Sequence, residues 1–176
     1  RLSRLRSPIL TDTTIIDGVF GPDEATAVVL MRAFDVWVHE QDIRSALDRP
    51  GNLDSPAARV FVNAVMAQLP RLVSRDAGLE PGQVVVIEVT GPLLTRQAVL
   101  VEVDDRGRPR GRVLGSGEMP ARQSEGHRDG PTTISLSTEA FTRRAAGRRS
   151  VRETEYNVVG DEAIADRVME ALVITH

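Results

Sequence analysis

The chain of 176 residues lacks cysteine and lysine altogether, and only 3% of it is aromatic. Without cysteine there is no disulfide framework, no thiolate metal site and no Cys nucleophile, so thiol chemistry would need a borrowed sulfur. Without lysine, all 22 basic residues are arginine, the usage expected of a GC-rich genome. So few rings argue against a base-stacking platform. The formal net charge of −3 and a pI near 5.7 argue against a nucleic-acid binder held by phosphate contacts. No apolar run approaches the ~18 residues of a membrane span, and nothing at the start reads as a signal peptide. A cytoplasmic protein that engages neither nucleic acid nor membrane is expected. What is present suffices for a core: 41% of the residues are hydrophobic, and the length suits one large domain or two small ones. The chain starts Arg1-Leu2-Ser3 without Met, which reads as a processed or cut chain or as part of a longer protein.

Leu2 and Leu5 stand at helical spacing among arginines and predict the tail of a helix stopped by Pro8. Residues 9–22 read as a connector punctuated by Asp17-Gly18 and Gly21-Pro22. Asp23 is expected to cap a helix running to about Leu47, with Val28, Met31, Phe34 and Val38 as its buried stripe. Ser55 as cap and Pro56 at the first helical position start a second helix, with Pro70 as a kink or break and an end near Ala77-Gly78. Beyond Pro81-Gly82 the pattern changes to strand. Strands are predicted at Val84–Val89, Gln97–Val103, Arg110–Gly115 and Thr132–Leu136, with Asp104-Asp105-Arg106-Gly107 as a hairpin turn. Thr138 is expected to cap a helix to Ala146. A short strand at Asn157-Val158-Val159 then leads to Asp161, the cap of a last helix with Ile164, Val168 and Leu172 on one face. The predicted class is α+β in two domains: a helical one over residues 1–79 and a mixed sheet with helices over 80–176.

Chemistry concentrates between Arg32 and Arg44. Asp35 and His39 lie four apart, so they project side by side from one face of the helix. A carboxylate and an imidazole at that spacing can grip one divalent cation, and Asp42 could hold the far ring nitrogen. The same spacing equally describes a solvated or hydrogen-bonded pair. Trp37 reads as core packing, and Arg32 and Arg44 as structural ion pairs. A second cluster, Arg143, Arg144, Arg148, Arg149 and Arg152, is either an anion site or a solvated cationic helix end. No phosphate loop follows Gly115-Ser116-Gly117, and no nucleophilic serine elbow is visible.

The run Phe34-Asp35-Val36-Trp37-Val38-His39-Glu40-Gln41-Asp42-Ile43-Arg44, with Ala46-Leu47 and Arg49-Pro50-Gly51, resembles the signature of the mycothiol-dependent maleylpyruvate isomerase family. Asp17-Gly18-Val19-Phe20-Gly21-Pro22, Leu53-Asp54-Ser55-Pro56-Ala57-Ala58 and Val158-Val159-Gly160-Asp161-Glu162-Ala163 sit where that family has similar words. The resemblance implies a DinB-like helical bundle carrying a divalent metal, usually zinc, followed by a sterol-carrier-protein-like domain. Asp35 and His39 match two of the metal ligands, Asp35 being one methylene shorter than the Glu of the isomerases. A third ligand, a His on an earlier helix, is expected upstream of Arg1, since neither His127 nor His176 matches it. The second domain of the family supplies an arginine, and Arg148, directly after Gly147, is the match.

These implications define an expected chemistry. Mycothiol would bring the thiol that the chain lacks, a metal would stabilise it as the thiolate, and the thiolate would add to an electrophilic small molecule. Arg148 would hold a carboxylate on that substrate. Two rival readings stand beside this one: a carrier of small apolar ligands, and a dimerisation module. An incomplete bundle exposes an apolar face, so a homodimer that covers it is expected.

Overall fold

The computed structural model describes residues 15–18, 21–115 and 130–174. The helix tail read at residues 1–7, most of the loop read at 116–130, His127 and His176 lie outside them. The chain divides into two compact units, one ending at Phe61 and the other beginning at Val62.

In the first unit, Ile15–Gly18 (β1) pairs antiparallel with Gly21–Glu24 (β2), and Ala25–Ala46 forms α1. Residues 15–18 and 21–22 of the segment read as a connector therefore lie in paired strands. Pairing of Ile16 with Asp23 and Ile15 with Glu24 keeps the backbone extended up to the first helical residue. Asp23 consequently does not cap α1; Glu24 holds that position and makes no side-chain cap bond. Val28, Trp37 and Val38 are buried, while Met31 and Phe34 are half-buried. The Phe61 ring lies 5.6 Å from Phe34 and 5.9 Å from Trp37, which closes this small core. Helix α1 ends where Asp48 takes φ 50°. Pro56–Arg71 forms α2, and the Ser55 hydroxyl accepts from the Ala58 N–H at 3.2 Å, as the sequence predicts.

Pro70 does not end the helical path. The chain continues as a wider π turn over Leu72–Asp76, and the carbonyl of Pro70 accepts from the Ser74 hydroxyl at 2.7 Å. The second unit is built on a five-stranded mixed sheet of order β5-β4-β3-β6-β7. Its strands are Val84–Thr90 (β3), Leu94–Val103 (β4), Pro109–Leu114 (β5), Thr132–Leu136 (β6) and Asn157–Val159 (β7). Only β3 and β6 run parallel; the other neighbours are antiparallel. Both faces of β3 are buried over Val84 to Ile87, which explains the run of four β-branched residues there.

The end of α2 packs on one sheet face, where Gln97 donates to the Met66 carbonyl at 2.8 Å and Gly111 sits directly against Pro70. A side chain at 111 would overlap the Pro70 backbone, so this position requires glycine for close approach. The opposite face carries Val84, Val86, Ala98, Leu100 and Leu114 as a second buried cluster. Two further helices, Thr138–Ala145 (α3) and Glu162–Ala171 (α4), complete the unit. Asp161 caps α4 as read from the sequence, accepting from the Ile164 N–H at 3.1 Å. Ser137 rather than Thr138 caps α3, accepting from Ala140 N–H at 3.1 Å. The Thr138 hydroxyl is committed elsewhere: it accepts from Leu93 N–H and donates to Leu93 O. At this level the α+β expectation holds: a mixed sheet, a hairpin and four α-helices make up the described residues.

Candidate functional site

On α1, the 3.6-residue period places Asp35, His39 and Asp42 along one outward strip. His39 Nε2 lies 3.7 Å from Asp35 Oδ1, and His39 Nδ1 lies 3.6 Å from Asp42 Oδ2. Arg32 approaches the other oxygen of Asp35 at 3.6 Å. These separations exceed hydrogen-bond length, so the groups form a loose chain of charge contacts. The His39 side chain is 63% exposed and that of Asp35 46%, which leaves both able to change rotamer.

Two donors held by one tetrahedral zinc at ~2.0–2.1 Å stand about 3.3 Å apart, so Asp35 and His39 fit two positions of such an ion after a small adjustment. Among the described residues no group of three or more His, Asp or Glu side chains is placed to hold a metal. The strip thus presents two potential donors, Asp35 and His39, at neighbouring positions.

Most of the remaining motif builds structure. Glu40 Oε1 accepts from Arg44 Nε at 2.7 Å, and both Glu40 oxygens accept from Asn52 Nδ2, at 2.9 and 2.7 Å. The Trp37 indole N–H donates to the Asn52 carbonyl at 2.9 Å, and Arg44 Nη1 donates to the Arg49 carbonyl at 3.4 Å. Trp37, Glu40 and Arg44 thus clamp the loop after α1, which must pass through φ 148° at Gly51 and φ 60° at Asn52. Trp37, 2% exposed, is core packing as its spacing indicates, and Arg44 is a structural ion pair. Asn52 is a member of this clamp that the sequence reading missed. Its signal was the Gly51-Asn52 pair, a sequence suited to left-handed backbone.

Gln41, on the inward side of α1, is 8% exposed and its Nε2 has no hydrogen-bond partner among the described residues. Alongside the polar strip runs an open groove of ≈ 490 Å³, whose walls include Val36, Ile43 and Leu47 with Arg44 and Arg49.

The arginine cluster lies in the second unit and divides by burial. Arg144 is 6% exposed and donates through Nε to Met169 O at 2.8 Å and through Nη2 to Glu170 O at 2.8 Å. Burial pushes its pKa down, opposed by the Glu170 carboxylate. It is a structural pin. Arg149 pairs with Glu139 at 2.7 Å. Arg148 is exposed and donates to Ala146 O at 3.0 Å. The reading of the whole cluster as a solvated helix end therefore fails at Arg144, because the C-terminal carbonyls of α4 need a donor there.

No family model matches this chain, and no curated protein does either. Among solved structures it is similar to the sterol carrier protein 2 of Yarrowia lipolytica, apo form. The identity is 11% over 70% of this chain and 92% of that one, with a TM-score of 0.37. No described helix is long and apolar enough to cross a membrane.

Proposed function

We propose that the chain belongs to a mycothiol-dependent metalloenzyme of the maleylpyruvate isomerase type, with Asp35 and His39 as two ligands of a divalent cation, most suitably zinc. In this reading residues 1–79 are part of a DinB-like bundle and residues 80–176 a sterol-carrier-like domain. One observation carries the proposal: on the exposed strip of α1, Asp35 Oδ1 and His39 Nε2 stand 3.7 Å apart, with Asp42 beside the other ring nitrogen. The clamp of Trp37, Glu40 and Arg44 fixes the loop that follows α1 and leaves the strip to other work. A further donor comes from outside the described residues. Such a cation supplies the charge beside which a thiol ionises well below its free pKa of about 8.5. Within this reading Asp42 orients the His39 ring through Nδ1, and Arg148 holds the carboxylate of an electrophilic substrate.

Zinc alone tests the metal assignment. With two protein donors among the described residues, weak uptake is expected, measured by isothermal titration calorimetry as zinc is added. His39→Ala and Asp35→Asn should each abolish it. Undiminished zinc binding by His39→Ala would remove the basis of the assignment.

A further inference from the structure

The outer edge of β5 is open. Asp104 N–H donates to Arg108 O at 2.8 Å, and Val101 N–H donates to Gln83 O at 3.0 Å. The even-numbered residues of β4 therefore turn their backbone groups toward β5, and by the register those of Arg110, Arg112 and Leu114 turn back toward β4. The N–H and C=O of Gly111 and Val113 point the other way, where no described residue takes them up. An unpaired row of this kind is a template for another strand.

Side chains along the edge select what can pair with it. Arg110 and Arg112 lie on the sheet face away from α2, while Val113, 46% exposed, lies on the other. Arg108 pairs with Asp104 at 3.2 Å and Arg112 with Glu102 at 2.7 Å. Arg110 is exposed and makes no ion pair among the described residues. A second β5 laid antiparallel against the first brings arginines together. With Gly111 opposite Gly111, Arg110 faces Arg112; with Gly111 opposite Val113, Arg112 faces Arg112. Like charges directly opposite across a ladder are destabilising, so the edge is closed to its own kind. A strand with a carboxylate at every second position meets the same arginines with opposite charge, and its backbone completes the bonds of Gly111 and Val113. The arginines thus reject one class of strand and admit another.

We propose that the β5 edge takes up an extended acidic peptide, with glutamate or aspartate at alternate positions, as an added antiparallel strand. This surface is separate from the α1 strip and serves whether or not Asp35 and His39 hold a cation.

The probe is a capped heptapeptide alternating glutamate with valine, kept soluble at neutral pH by its own charge, and the readout is amide NMR of the full chain. Adding it should move the Gly111 and Val113 amide signals and slow their exchange with solvent. Arg110→Glu should weaken binding about tenfold or more. Val113→Pro removes only an outward N–H, so the fold should persist while binding falls by a similar factor. A peptide of the same pattern with arginine for glutamate should not bind, and equal binding of the two would overturn charge as the selecting property. Gly111 and Val113 signals that stay in place at millimolar peptide, or shifts confined to another part of the sheet, would overturn the proposal.

Discussion

Replacing Arg144 by methionine keeps much of its length while removing every donor, so it isolates the guanidinium's contribution. Arg144 reaches from α3 to the last turn of α4, where its N–H groups meet Met169 O and Glu170 O at 2.8 Å each, and it also donates to Arg149 O at 3.3 Å. Hydrogen bonds from a charged donor contribute roughly 1.5–3 kcal/mol each, and a stranded carbonyl loses about 1–3 kcal/mol. The methionine variant gains something in return, because a guanidinium no longer has to leave water; the lowered pKa of Arg144 records that opposing effect. The Glu170 carboxylate adds little, being 3.8 Å away and 75% exposed. Balancing two good bonds and one long one against relieved desolvation gives a net loss of about 3 kcal/mol. Urea unfolding followed by circular dichroism should place the midpoint about 1–3 M lower for Arg144→Met, given slopes of about 1–3 kcal/mol per M. Arg144→Lys should recover less than half of that, since one ammonium cannot span three carbonyls in the geometry of a planar fork. Arg149→Met serves as the control: its partly exposed pair with Glu139 should contribute under about 1 kcal/mol. Equal stability of the Lys variant and the parent chain would refute the pinning role, as would a methionine variant within about 1 kcal/mol of the parent.

Gly111→Ala should cost about 2–4 kcal/mol in the same assay, because the added methyl meets the backbone of Pro70 rather than a side chain that can move aside; a loss below about 1 kcal/mol would show that β5 can shift freely. Asp104, at the β4–β5 turn, accepts from the backbone N–H groups of Arg108 and Arg106, and the Arg108 bond above all holds its pKa below the usual 3.8. Its depressed folded-state pKa means that the charged form favours the fold above 3.8 and that this contribution fades as pH falls through the lower, folded value. The stability gap between the parent chain and Asp104→Asn should therefore be constant from about pH 7 to about pH 5 and narrow as pH falls below 3.8 in equilibrium unfolding, and a gap that widens in acid would contradict it.

Legibility in the sequence followed locality. The β-branched run at Val84–Val89, the Thr132–Leu136 alternation and the caps Ser55 and Asp161 are decided within a few residues, and each appears where the pattern places it. The β1–β2 hairpin was not legible, because Gly and Thr punctuation describes a connector and a short hairpin equally well. Ser137 and Thr138 are both good caps, and only the distant Leu93 decides between them by taking the Thr138 hydroxyl. Val29, Val36 and Ile43, exposed on α1, were written in the sequence at intervals of seven, yet periodicity alone does not say which of two apolar faces turns inward.

By itself the sequence determined the chemistry available to this protein: arginine as its only strong cation, no thiol of its own, and a carboxylate and an imidazole one helical turn apart. Those are properties of residue type and of the 3.6-residue period. Tertiary structure decided how each was used. Glu40 and Arg44 share the motif with His39, but Asn52, brought back by the loop after α1, draws them into a clamp. Arg144 and Arg148 share one cluster, yet the end of α4 buries the first and leaves the second exposed. A hydrogen-bond partner distant in the chain is invisible to local pattern, and the position of such partners separates structural arginines and carboxylates here from those left at the surface.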